Sequence, residues 1–500
     1  MYIRLSSLIA CCALPGILAA QDLRIEHVQV ASPERSHVVQ DATVDISAGR
    51  ITAITTGAKS ARPAKAQVID GHGLYLAPGL IDTHVHLSNV PGMTPEQERL
   101  HPDLGETARQ QVPRSFLYFG YTTLIDLMST PDGKARWQHQ DLIPDTYFCG
   151  AAPVLDGYPM NYSPQATRYT DTPYFIVEPG SQATLPAGIN AADHTPEAVV
   201  SRMKADGAIC VKTFFDRGQD PRETLKVPRL ETIRALVQAA HKVGLPVLLH
   251  ASSTEAQTFG LDAGVDVMAH GLWNWGQEEA PAAGVTPTVQ GVLDKAIQKH
   301  VGWQPTFRVG QGFRDLLLPS FLSDPMLARV LPATLLEWYA TPEGQSFRSQ
   351  LASGFGVASE NDPKAIEARV NALSSAVFGK LERSTRYMAE HHGLLLFGTD
   401  TPCAPLFSNP PGLNGWWEMQ SLAASGVSPS QIFRAATLDN ARALKLDKDI
   451  GTVQVGKRAN LLLLREDPTQ TIQAYSHIDK VILGGRLLDP TELAANRSIK

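Results

Sequence analysis

The stretch Ala77-Pro78-Gly79-Leu80-Ile81-Asp82-Thr83-His84-Val85-His86-Leu87 decides how the rest of the chain is read. It is a short apolar run that ends in two histidines spaced i and i+2. In a β-strand such residues point to the same side, so His84 and His86 can reach one ion together. A bare His-x-His is more often a pair of half-buried histidines. Here the pair closes a strand directly after a β-rich segment, and Pro78-Gly79 precede it.

Upstream, from Asp22 to about Ala77, the runs LRIEHVQV, ATVDISAGRITAIT and AQVIDGHGLYLA alternate apolar and polar residues between turn residues. That pattern fits antiparallel strands. The same texture returns near the C-terminus in GTVQVGKRANLLLLRE and HIDKVILGGRLLD. Two β-rich ends around a different middle predict one small β-sandwich built from both termini. The middle alternates apolar strands (TTLIDLM, TYFCGAAPV, AICVKTFF, LPVLLHA, VDVMAHG, VGWQPTF, LLLFGTD) with amphipathic helices. Leu230, Ile233, Val237 and Ala240 recur at helical spacing, and Gly244 sits where a C-cap belongs. Thr195-Pro196 and Ser428-Pro429 each read as a capping residue followed by a first-turn proline. Strand–helix alternation means a parallel sheet, and the expected fold is α/β, a (β/α)8 TIM barrel.

The expected divisions are a signal peptide at 1–20, sandwich parts at 21–77 and 449–500, and a barrel at 78–448. Insertions at about 137–194 and 308–392 exceed a minimal barrel; the later of them has a mostly helical pattern. Loops of this length act as lids or subunit contacts, so a homo-oligomer is compatible with the sequence. Met1 to Asp22 shows a basic Arg4, an apolar stretch from Leu5 and small residues at Ala19-Ala20. This is the anatomy of a secretory signal cleaved after Ala20, which implies export to the periplasm or medium. The alternative, lipoprotein cleavage ahead of Cys11, has a very short apolar run against it. No segment is long and apolar enough to span a membrane. A net charge of −6 without long charged runs points away from nucleic acid and anionic membranes. Beyond the signal, Cys149, Cys210 and Cys403 allow at most one bridge, and spacing does not say which.

Further along, Lys212 ends AICVKTFF, His250 ends LPVLLHA, His270 ends VDVMAHG and Asp400 ends LLLFGTD. Together with the His84 pair, five strands place polar residues at their C-terminal tips, where barrel active sites are built. One such histidine is unremarkable in a core; the full set is not. A lysine on an apolar strand needs a partner or a neutral form.

On these motifs the chain resembles the amidohydrolase superfamily, nearest its prolidase-like and imidazolonepropionase-related branch. PGLIDTHVH, ICVKTFF, the isolated His250 and His270, GTDTP around Asp400, and the tail ATLDNARALKLDKDIGTVQVGKRANLLLL carry the resemblance. Asn460 departs from it, standing where the family has Asp. The resemblance implies two divalent metal ions, with Zn2+ the first choice. His84, His86 and Asp400 would hold the buried ion, and His250 and His270 the outer one. Lys212, carboxylated by CO2, would bridge them. Zn2+ takes such nitrogen and oxygen ligands at about 2.0–2.2 Å, and two ions roughly 3.5–4 Å apart can share a hydroxide. Asp400 is then the catalytic acid/base, and the implied activity is hydrolysis of an amide bond. Its small-molecule substrate would be peptide-like, an N-acyl amino acid or a cyclic amide. Ester, lactone or phosphotriester hydrolysis suits the same site, and an inactive exported metal-binding protein is the reading from another class.

Substrate contacts are less marked. Trp273 and Trp275 can form an aromatic wall or pack in a core. Arg308 can hold a substrate carboxylate or join a salt bridge. Tyr158 and Tyr162 can donate to an oxyanion by their loop position. Cys403 reads as a wall residue, with no base beside it to make it a nucleophile.

Overall fold

The computed structural model describes residues 22–57, 66–138, 142–181, 185–218 and 224–496. The expected signal segment, with its alternative at Cys11, lies outside them.

Strands from both ends of the chain make one eight-stranded sheet. From the N-terminal end come β1 (Leu23–Val30), β2 (Val39–Ser47), β3 (Arg50–Thr56), β4 (Gln67–Asp70) and β5 (Tyr75–Pro78). The barrel-like middle contributes β6 (Leu80–Val85), β7 (Tyr121–Asp126), β8 (Asp145–Ala151), β9 (Cys210–Phe214), β10 (Val247–His250), β11 (Val267–Ala269) and β12 (Gly302–Gln304). The C-terminal strands are β13 (Leu461–Leu464), β14 (Ile478–Leu483) and β15 (Arg486–Leu488). The terminal sheet runs β15-β14-β13-β5-β1-β2-β3, with β4 paired to β1. It is thus a single hydrogen-bonded sheet rather than two separately paired ones. Leu461↔Pro78 through Leu464↔Tyr75 is the register that ties the two ends of the chain together. Asn460 holds this sheet to the underside of the middle one: its amide donates to Asp145 at 2.8 Å, far from the strand tips.

The middle sheet is parallel throughout, in the order β12-β11-β10-β9-β8-β7-β6. The stretch 394–401 lies against both of its edges. The Trp303 amide donates to Leu394 and Leu396 donates back to Trp303, while Asp400 donates to His84 and His86 to Thr401. The sheet is therefore curled, as a barrel requires. This last stretch forms isolated bridges instead of a regular strand. Gly398 packs so close to β6 that a Cβ would stand 2.7 Å from that of His84, and Asp400 takes a left-handed φ of 57°.

The helices follow their caps. Thr195 caps Pro196–Ala205, and Ser428 with Gln431 forms a capping box ahead of Pro429–Arg434. Gly244, after helix Leu230–Lys242, has φ +79° as expected of a C-terminal stop. The later insertion is helical, from Phe307–Leu317 to the 28-residue Pro363–Glu390.

Inside the curl, Ile125, Cys149, Cys210, Leu248, Val267 and Leu396 belong to one buried cluster, a floor of residues from six neighbouring segments. Register decides the disulfide that spacing left open. Cys149 pairs directly with Cys210 across β8 and β9, so both sulfurs point inward. Their Cα atoms lie 4.5 Å apart, within bridging range, and they are bonded; Cys403 is free. The bridge spans a sequence separation of 61 residues. Protein refolded under reductant is expected to be about 2–4 kcal/mol less stable than the oxidised form. Coincident urea midpoints for the two would contradict this.

Candidate metal centre

Two residues beyond that floor, the inward positions turn polar. Lys212 follows Cys210 and His250 follows Leu248 at the same parity, so they face the same interior. Asp82, His84 and His86 share one face of β6 and its end. His270 lies three residues past Val267, the wrong parity for the interior, but its φ of 90° turns it back. Bulky residues adopt such angles uncommonly.

The six predicted residues converge. His84, His270 and Asp400 offer ligand atoms all within 4.8 Å of one another. His86 Nε2 lies 2.6 Å from Asp400 Oδ1, and His84 Nε2 is 3.3 Å from the same oxygen. Lys212 Nζ stands 3.3 Å from His84 Nε2. The His250 ring lies 4.5 Å from that of His270.

Sequence reading missed the residues that aim these side chains. Gln304 Oε1 faces His84 Nδ1 at 3.3 Å, and Thr306 Oγ1 meets His270 Nδ1 at 2.8 Å. Asp216 Oδ2 takes His250 Nε2 at 2.8 Å. These three imidazoles thus each have one nitrogen engaged and the other left for the centre, the arrangement that fixes metal-ligating histidines. Below His84 on the same face of β6, Asp82 accepts from Thr399 and from the His84 backbone N–H. Gln304 was legible by the rule that found the others, a polar residue ending an apolar strand. Asp216, just past β9, was not.

Burial sets the charge states. It holds His84 and His270 well below the ordinary imidazole value, helped by the neighbouring Lys212 and His250, so both rings are neutral with lone pairs to offer. It lowers the Lys212 amine to about 7 against an opposing pull from Asp400. Burial also pushes the Asp400 carboxyl upward, but His84 and His86 outweigh it and keep the group well below the usual carboxylate range. Neutral imidazoles, an anionic carboxylate and a lysine poised near neutrality suit a divalent metal.

Of the substrate candidates, Tyr158 and Trp273 lie at the centre's edge. The Tyr158 ring is 4.7 Å from His250 and the Trp273 ring 5.3 Å from His270. Tyr162 stands one layer out, 5.8 Å from Tyr158 and 54% exposed. Trp275 is not a wall of the site; it is buried, with its indole N–H donating to Leu272. Arg308 is not free for a substrate carboxylate. It is buried in an ion pair with Asp315 at 2.7 Å, bonded to Asn414 and Ser408, and lies over the Trp417 ring. Burial raises the Cys403 thiol, which keeps it protonated and a poor nucleophile.

The model of the Amidohydrolase family matches residues 75–270 and 389–488, more than half of the chain. The chain belongs to the amidohydrolase family. The unmatched interval in this amidohydrolase holds β12 and the helical insertion. An imidazolonepropionase of Idiomarina loihiensis is 40% identical over 67 residues, 13% of this chain and 16% of that protein. A dihydroorotase of Geotalea daltonii is 51% identical over 55 residues, 11% of this chain and 12% of that protein. These stretches span less than a fifth of either relative. Whole-chain likeness is structural. A putative prolidase from Bifidobacterium longum superposes with a TM-score of 0.60 at 20% identity, covering 94% of this chain and 95% of its own. A Xaa-Pro dipeptidase with bound methionine gives 0.62 at 18% identity (94% and 100%). Molinate hydrolase gives 0.65 at 16% identity (95% and 96%).

The lowered Lys212 value has a sign that stability can report. The folded, metal-free protein binds fewer protons than the unfolded chain between about pH 7 and 10.5, so this lysine penalises folding fully below pH 7 and less as pH rises. Its contribution grows by up to about 1.4 kcal/mol per pH unit in that window. Urea titrations of chelator-stripped protein at pH 7 and 9 should show Lys212→Met losing this gain relative to wild type. Equal pH slopes in both would contradict the assigned charge state.

Proposed function

We propose that this amidohydrolase cleaves an amide (C–N) bond in a small substrate, of peptide-like, N-acyl amino acid or cyclic amide type, with two divalent ions. His84, His86 and Asp400 would hold one ion and His250 and His270 the other, with carboxylated Lys212 between them and Zn2+ the first choice. The observation that carries this reading is the convergence of all six side chains at the strand tips. Ions held there supply Lewis acidity that polarises a carbonyl and acidifies water.

The chain's own groups supply the rest. Neutral Lys212 adds its nitrogen lone pair to CO2 and releases a proton, leaving a carbamate whose one negative charge is shared by two oxygens. That amine is available because burial holds its value near 7. Asp400, ionised at its carboxylate, takes the proton of the attacking water and passes it to the leaving nitrogen. The Tyr158 phenol, half-buried beside His250 and kept protonated by desolvation and by Asp400, donates to the developing oxyanion. Prolidase and dipeptidase among the structural neighbours support a C–N bond as the target.

The curled sheet closed by 394–401 supports a (β/α)8 barrel, and the continuous apolar core of the terminal sheet, from Leu23 to Ile482, supports its folding over as a sandwich. The Cys149–Cys210 bridge supports export, since disulfides persist in oxidising compartments. No helix among the described residues is long and apolar enough to cross a membrane.

A panel of N-acyl amino acids, dipeptides and cyclic amides, run beside lactones, aryl esters and phosphotriesters, tests the reading. Amide turnover that Asp400→Asn lowers at least about a thousandfold, with the circular dichroism spectrum unchanged, is the expected result. Turnover of esters alone, or an active Asp400→Asn, would overturn it. Asp216→Ala frees the His250 ring and should weaken metal retention about 10–100-fold in chelator competition; unchanged retention would show that Asp216 does not position that ring.

A further inference from the structure

A cavity of 600 Å³ opens against the metal centre on the side of β9 to β12. The segments after β9, β10 and β11, the helix Phe307–Leu317 that follows β12 and the helix Pro363–Glu390 enclose it. It joins the centre at two points. Asp216, in its wall, bonds His250, and Trp273, also in its wall, packs against His270. A group that fills it is therefore close enough to be part of the molecule whose bond is cleaved.

Five aromatic residues line one part of it, and polar residues of the loops after β9, β10 and β11 line the rest. Phe215, Phe307 and Phe378 are buried and form fixed walls, while Trp273 and Phe313 are only partly buried and present ring surface to the space. Val377, 41% exposed, carries the apolar lining outward along the long helix. Of the charged groups there, Lys380 lies over the Trp275 ring and the other three are paired. Asp216 is tied to His250, and Arg217 makes a two-nitrogen ion pair with Glu255. A cavity that joins an aromatic wall to a rim of polar groups, next to the residues that support a reactive centre, is the ordinary form of a small-molecule subsite. Offset and edge contacts with several rings favour an aromatic occupant over an aliphatic one of equal area.

We propose that this cavity is the specificity subsite, and that one flank of the scissile amide carries an uncharged aromatic ring seated between Trp273 and Phe313. The inference rests on the amide-hydrolase reading and narrows its substrate class.

The test uses the full metal-loaded enzyme and matched amides that carry methyl or phenyl on the acyl side or on the amine side. On one of the two sides, phenyl should raise kcat/KM at least about tenfold over methyl, and Phe313→Ala should bring that ratio close to one. Trp273→Ala should do the same; Phe313, whose ring neighbour is Phe347 rather than a histidine, keeps the result readable if Trp273→Ala disturbs the metals. A phenyl-to-methyl ratio near one on both sides in wild type, or a ratio that survives Phe313→Ala, overturns the proposal while leaving amide hydrolysis standing. If no amide is turned over, the amide reading fails, and benzoate binding followed by tryptophan fluorescence decides the subsite. Binding that Phe313→Ala weakens at least fivefold supports it, and binding that is absent or unaffected overturns it.

Discussion

An amine, a carboxylate and several imidazoles buried within a few ångströms of one another are costly to keep out of water, and the architecture of this amidohydrolase is organised around making that cost bearable. Lys212 is 2% exposed and Asp400 9%. Removing two such groups from solvent costs several kcal/mol each unless partners replace the water. Here burial drives the lysine amine towards neutrality and takes the protons from His84 and His270, while Asp400 keeps its charge. A set of groups that is unfavourable when empty has every reason to hold cations.

Parallel register supplies the geometry. Because Cys149, Cys210 and Lys212 lie on inward positions of paired strands, the disulfide lies two residues below the amine and joins the strand that carries it to its neighbour. Where the plain strand geometry would point a side chain away, the backbone departs from it. His270 and Asp400, and Thr306 that supports His270, all take left-handed φ angles. Gly398 permits the last segment to close against His84. At the centre, left-handed backbone, close approach and buried charge come together.

Much of this was legible from the chain alone. The alternation of apolar strands and amphipathic helices marked the parallel sheet, and the rule that strand tips converge picked out His84, His86, Lys212, His250, His270 and Asp400. What escaped was anything that depends on where a loop goes next. Arg308 follows an apolar strand as a substrate-binding residue would, but a helix starts at Phe307 and draws it into the core with Asp315. Trp275 sits two residues from Trp273, yet the turn sends one inward and the other to the centre. Asp216 bears on His250 only because β9 and β10 are neighbours. The disulfide partner, likewise, was fixed by register and not by spacing.

The central claim is a two-metal centre bridged through Lys212, and metal stoichiometry tests it most directly. Elemental analysis of the purified protein is expected to give about two divalent ions per chain. Lys212→Ala should lose them, with partial recovery in the presence of a short-chain carboxylic acid that replaces the carbamate. A wild-type protein holding no more than one ion, or a Lys212→Ala variant that retains two, would contradict the account.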